Sequence, residues 1–242
     1  MYAIQIKKLV KRYHSVTAVN GLDLDIRQGE LFSLLGVNGA GKTTVIKILS
    51  CLAKPSDGTA LVGGYDVVRE AKQVKQRIGV APQETAIAPG LTVKENLELI
   101  CGIYGFSKEK TQGKIQELTV QFSLGAVLHR KAGKLSGGWQ RRVSIAMALI
   151  GEPKILFLDE PTLGLDVIAR RELWNMIRQL KGRITIILTT HYMEEAEALS
   201  DRIGIMKDGA LLALGTAEEL KQRAGTDDFE AAFVAIVKEC AE

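Results

Sequence analysis

Short apolar runs and helical periods alternate along this chain. Met1-Tyr2-Ala3-Ile4-Gln5-Ile6 is strand-like, and Glu30-Leu31-Phe32-Ser33-Leu34-Leu35 has the length and apolar content of a buried parallel strand. Val45, Ile46, Ile48, Leu49 and Leu52 then recur at helical spacing, which predicts a helix over Thr43 to Leu52. Residues 2 to about 85 therefore read as strands with one helix. From Leu91 to about Ile150 the period is helical: Val93, Leu97 and Ile100, then Ile115, Leu118 and Phe122, then Val143, Ala146, Met147, Ala148, Leu149 and Ile150, with Gly102, Gly105 and Gly113 as punctuation. Strand-like runs return at Ile155 to Leu158 and Ile184 to Leu188, separated by a helix from Val167 to Leu180. Ile203 to Met206 and Leu211 to Leu214 meet at Asp208-Gly209 as a hairpin. The tail places Phe229, Phe233, Ile236 and Val237 on one helical face, either a cap on its own domain or a partner surface.

The junction between the first buried strand and its helix carries chemistry. Gly36-Val37-Asn38-Gly39-Ala40-Gly41-Lys42-Thr43-Thr44 fits G-x-x-x-x-G-K-[ST], a loop that cradles phosphate. Glycines let several N–H groups turn toward an anion, and the helix end adds about half a positive charge. Lys42 can reach β- and γ-phosphates, Thr43 is placed to bind Mg²⁺, and Thr44 backs it up, which points to a magnesium nucleoside triphosphate. At the end of the later strand, Asp159 is the metal-side acid and Glu160 the best base for polarising an attacking water. An Asp-Glu pair alone is as readily a solvated strand end; the phosphate loop upstream favours the catalytic reading. Ser136 reads as the N-cap of a second helix whose first residues, Gly137 and Gly138, offer further amides to an anion.

Leu135-Ser136-Gly137-Gly138 between the phosphate loop and the acidic strand resembles the signature of the ATP-binding cassette (ABC) ATPases, over about residues 2 to 220. The resemblance implies an α/β fold of the P-loop NTPase class, with a parallel core sheet, an antiparallel β subdomain and an inserted helical lobe. It implies one ABC ATPase domain over 1–242: an ATP-binding core lobe at about 1–85 and 151–224, a helical lobe at about 86–150, and a helical tail at 225–242. Tyr13 resembles the aromatic that stacks on adenine, Gln83 the glutamine that touches the metal or attacking water, Asp166 the D-loop acid at the dimer seam, and His191 the switch residue on γ-phosphate. ATP and Mg²⁺ are the implied ligands. The chain departs from the family at Trp139, where many members have Gln and here Gln140 comes next, and at Leu163 and Gly164, where many have Ser and Ala.

A single signature in one compact domain cannot easily face its own phosphate loop, so the resemblance implies two chains closed head to tail around two ATP molecules. The partner cassette is a second copy or a closely related ABC ATPase. The work then passes to a separate membrane permease, and Pro89 to Leu97, Thr190 to Glu197 and Leu214 to Leu220 look most like the drug, lipid and polysaccharide export branch. The expected location is the cytoplasmic face of the cell membrane. The alternative is a soluble ABC ATPase acting on nucleic acid or the ribosome, but such proteins usually carry two cassettes or a coiled-coil insertion. A small-molecule kinase would leave the signature, D-loop and His191 without a role.

Composition narrows these classes. At 242 residues and 46% hydrophobic content the chain can bury a sizeable core, and it has no apolar run near the roughly 20 residues that span a bilayer and no signal-peptide pattern. The expectation is a soluble, unexported protein. Cys51, Cys101 and Cys240 are odd in number and unrelated in spacing, which fits neither a disulfide framework nor a zinc site. Net charge is +4, its one N-terminal cluster being Lys7, Lys8, Lys11 and Arg12; with 5% aromatics, no nucleic-acid surface is expected. His14 and His129 fall on no motif and are assigned surface or packing roles.

Overall fold

The computed structural model describes residues 1–239; Cys240 lies outside the described residues. Strands β1 (Tyr2–Tyr13) and β2 (Val16–Arg27) form a long hairpin, and β3 (Leu31–Leu35) leads through the phosphate loop into α1 (Lys42–Leu49). β4 (Asp57–Val62), β5 (Tyr65–Asp66), the short α2 (Ala71–Lys75) and β6 (Ile78–Ala81) complete the first part. The helical stretch is α3 (Val93–Ile103), α4 (Lys108–Gln121) and α5 (Gly137–Leu149). The chain returns with β7 (Ile155–Asp159), α6 (Val167–Leu180), β8 (Thr185–Thr190), α7 (Met193–Leu199), β9 (Arg202–Lys207), β10 (Ala210–Gly215), α8 (Ala217–Ala224) and α9 (Phe229–Glu239).

A four-stranded sheet in the order β2-β1-β4-β5 is antiparallel, and a six-stranded sheet runs β10-β9-β3-β8-β7-β6. In the second, β3, β6, β7, β8 and β9 are parallel and only β10 is antiparallel, paired to β9 in the expected hairpin. β3, β7 and β8 are buried along their whole length because both faces are covered. Their side chains alternate between two cores. Leu31, Leu156, Leu158, Ile186 and Leu188 pack toward the helical stretch, while Phe32, Leu34, Ile155, Phe157 and Ile187 pack toward α1 and the antiparallel sheet. The third core lies under the tail, where Phe229, Phe233 and Ile236 are buried with Ile203, Ile205 and Leu220.

Two local expectations are corrected. The first part of the chain has a second helix, α2, whose single buried residue, Val74, gives no readable period. α1 stops at Leu49, short of the expected Leu52: the Ser50 hydroxyl donates back to Ile46 O at 2.7 Å and Cys51 turns left-handed at φ 59°. Leu52 therefore leaves the helix face and is 70% exposed.

Candidate active site

Three parallel strands deliver the site at their carboxyl ends, the edge where open α/β sheets bind ligands. Leu35 pairs with Thr190 and Asp159 with Thr189, so the phosphate loop, the acidic pair and His191 emerge side by side. The loop lies tightly on its neighbours. A Cβ on Gly36 would sit 2.3 Å from Met206 O, and one on Gly41, at φ 100°, 2.2 Å from Ala18 O, so no other residue fits either place. Gly41 supplies no side-chain cap to α1, which leaves the first amides of that helix free to meet an anion.

Lys42 is buried and its Nζ donates to Gly36 O at 2.7 Å and Val37 O at 3.2 Å. The same ammonium lies 3.3 Å from Glu160 Oε1, while His191 Nδ1 lies 2.7 Å from Glu160 Oε2. Glu160 is thus gripped between a cation and an imidazole. Its backbone is left-handed at φ 48°, a conformation that costs a non-glycine residue about 1–3 kcal/mol and concentrates at functional sites. The Glu160 N–H, which donates to both Thr189 O and Thr189 Oγ1 at 3.1 Å, holds it there. The adjoining cavity, about 360 Å³, is lined by Asn38 to Thr44 with Gln83, Glu160 and His191. A larger one, about 790 Å³, lies on the antiparallel sheet around Lys7, Lys8, Asp23 and Asp25 and holds none of the motif residues.

Thr43 Oγ1 donates to Asp159 Oδ1 at 3.1 Å, and Thr189 Oγ1 donates to the same oxygen. These donors and the Gln83 amide are hard oxygens of the type Mg²⁺ accepts. Among the described residues no group of three or more His, Cys, Asp and Glu gathers to hold an ion alone. Thr43 and Asp159 could hold part of a coordination shell, as suits a metal shared with phosphate oxygens.

Seven of the sequence-derived candidates do not line the cavity: Gly36 and Asp159, which touch its Lys42 and Thr43, and Tyr13, Ser136, Gly137, Gly138 and Asp166. Tyr13 is 41% exposed at the end of β1, with Lys11 Nζ 4.8 Å from its ring centroid. Ser136 occupies the expected N-cap position of α5, and its hydroxyl makes no capping bond and lies at the exposed surface. Gly138 approaches α6 closely, its built Cβ falling 3.1 Å from Ala169 Cβ. Asp166 Oδ1 accepts the N–H groups of Ile168 and Ala169 at 2.9 Å, so it caps α6. At the family departure, Trp139 packs on the core with the Arg142 guanidinium 4.4 Å from its ring, and Gln140 Nε2 donates to Leu135 O at 3.0 Å.

The sequence reading passed over three contributors. Thr189 positions both acids, and Ala18 on β2 lines the cavity. Arg141, buried in α5, donates to Pro82 O at 2.6 Å and Gln83 O at 2.7 Å, tying the signature helix to the glutamine loop. Burial pushes the Arg141 guanidinium's pKa down, against the fields of Asp159, Glu195 and Glu160. Two consecutive threonines ending an apolar strand were the one available signal for Thr189.

The family profile of ABC transporters matches residues 19–163. The chain is 42% identical over 226 residues to the daunorubicin resistance ATP-binding protein DrrA3 of Streptomyces coeruleorubidus, covering 93% of this chain and 72% of that protein. It is 44% identical over 211 residues to the doxorubicin resistance ATP-binding protein DrrA of Mycobacterium tuberculosis, covering 87% of this chain and 64% of the relative. In structure it is similar to the ATP-binding cassette MJ0796, solved as a dimer in a post-hydrolysis state with ADP and Pi, at a TM-score of 0.79 and 28% identity over 88% of this chain and 98% of that one. The chain belongs to the ABC transporter family, as one of its ATP-binding, ATP-hydrolysing cassettes.

Proposed function

We propose that the chain is the ATPase subunit of a drug-export machine, working as a head-to-tail pair of cassettes beneath a separate membrane permease. The observation that carries the chemistry is Glu160, set between Lys42 and His191 at the mouth of the phosphate loop. From there its carboxylate accepts a proton from the water whose oxygen bonds to the γ-phosphorus, as the bond to the ADP oxygen breaks. Lys42 and the α1 amides stabilise the phosphate charge, and His191 orients Glu160 and meets the γ-phosphate. Mg²⁺, held by Thr43 and Asp159 with Gln83 beside them, would neutralise charge on the phosphates.

Pairing follows from the signature's position. Ser136, Gly137 and Gly138 present free polar groups away from their own cavity, which supports a site finished by a second chain, either another copy or a closely related cassette. The similar MJ0796 cassette, solved as a dimer, supports the same arrangement. The resistance functions named for the relatives support the export direction and a drug-like cargo.

No helix among the described residues is long and apolar enough to cross a membrane. An apolar groove of about 390 Å³ between β6, α3 and α5 supports a permease contact, because it is rimmed by Leu52, Ile103 and Tyr104, exposed by 70%, 73% and 45%. Such a contact would bring the chain to the cytoplasmic face of the membrane. Ile103→Glu should leave basal ATP hydrolysis within about twofold, since it touches no site residue, and abolish both drug efflux and co-purification with a polytopic membrane protein. Efflux at the parental level in this variant, or a native protein that sediments with ribosomes or nucleic acid and never with membranes, overturns the transport assignment.

A further inference from the structure

Behind the hydrolytic residues the molecule buries a carboxyl group that the chemistry above does not use. Glu195, on α7, is fully enclosed. The Trp174 indole N–H of α6 donates to its Oε1 at 3.0 Å. Its Oε2 has no hydrogen-bond partner among the described residues, and neither has the Thr162 hydroxyl, which is equally buried. The hydroxyls of Thr162 and Thr190 neighbour the Glu195 carboxyl. Thr162 opens the loop that ends at Asp166, while Thr190 directly precedes His191 and its Oγ1 accepts the Tyr192 N–H at 3.0 Å.

An anion here would be poorly solvated, with one indole N–H for a partner and Glu160 close enough to repel it. Burial raises the Glu195 pKa, and the field of Glu160 adds to this, over the opposing pull of the neighbouring Thr190 and Thr162 hydroxyls and the Trp174 N–H. A proton on Oε2 gives that oxygen a donor for the Thr162 hydroxyl, so one O–H bond satisfies both orphan atoms.

We propose that Glu195 is a positioning residue for ATP hydrolysis, its carboxyl group joining the loop that carries Asp166 to the strand end that carries His191. Through this link the dimer seam and the γ-phosphate contact share one buried hydrogen-bond junction, and His191 is held from behind at its 2.7 Å distance from Glu160. The inference rests on the ATPase reading, which is checked separately: the parent must hydrolyse ATP and its Glu160→Gln variant must not.

The test compares full-length Glu195→Gln and Glu195→Met in steady-state hydrolysis of Mg-ATP. The amide keeps a donor and an acceptor, so Gln should hold kcat and KM within about twofold. Met keeps the bulk without the hydrogen bonds, and should lose about tenfold or more in kcat with KM within about twofold, because the phosphate contacts remain while the water's geometry loosens. Thr162→Val, which removes the other half of the bond, should reproduce the Met result and serves if the Met variant does not fold. Parental kcat in the Met or Val variant overturns the proposal. So does a Gln variant as slow as Met, since that would make the charge, and not the hydrogen bond, the active property.

Discussion

Replacing Glu160 by glutamine should reduce ATP turnover by about 10²–10⁴-fold while sparing ATP binding. The amide keeps the shape and still accepts from Lys42 through its oxygen, so the ion-pair and imidazole contacts at 3.3 and 2.7 Å lose charge without losing their partners. It cannot take a proton from water at neutral pH. With hydrolysis blocked, the bridging phosphates persist and the paired state should accumulate on addition of Mg-ATP. Phosphate release reports the first effect and gel filtration the second. Turnover at the parental rate would exclude Glu160 as the base, whereas a monomer in the presence of Mg-ATP would count against closure of two chains alone.

Lys42→Ala should weaken ATP binding by at least about 10–100-fold. A charge-assisted hydrogen bond to phosphate contributes about 1.5–3 kcal/mol, and 1.4 kcal/mol is a factor of ten. The structure adds a second consequence. Lys42 is the buried cation in direct ion-pair contact with Glu160, so its removal strips a carboxylate of its closest counter-charge and leaves His191, among the described residues, as its one remaining side-chain contact. The variant should therefore melt at a lower temperature than the parent as well as bind poorly. Titration with a fluorescent ATP analogue measures the first loss and a thermal melt the second. Unchanged affinity would remove Lys42 from the phosphate site.

The chemistry that was legible in the sequence is the chemistry that is local in the chain. Gly36 to Thr44 is one continuous loop whose function follows from glycine conformation and a helix start, so its reading needed no tertiary information. The acids at the end of β7 were legible for the same reason, since an apolar strand announces its own polar end. What escaped depends on side chains that meet only after folding. Arg141 looks like one more basic residue on a helix, yet it crosses to the carbonyls of Pro82 and Gln83. Glu195 falls in an acidic-looking stretch, yet one of its neighbours, Glu194, is exposed while Glu195 is enclosed. Leu52 fits the helical period of α1, but the back-bond of the Ser50 hydroxyl ends the helix first and turns Leu52 outward. The resemblance implied a dimer-seam role for Asp166, and within the chain that residue is also occupied as the cap of α6.

The claim that each ATP site is built from two chains can be tested by complementation. Lys42→Ala disables the phosphate loop, and Ser136→Arg places bulk and charge on the exposed start of α5; each variant alone should be inactive. When the two are mixed, a mixed pair brings the intact Lys42 of one chain to the intact Ser136 of the other, so one complete site forms. The account predicts that Mg-ATP hydrolysis returns on mixing, in proportion to the fraction of mixed pairs. A Ser136→Arg chain that hydrolyses ATP at the parental rate on its own, with mixing adding nothing beyond the sum of the two chains' separate activities, would contradict it, because each site would then be complete within a single chain.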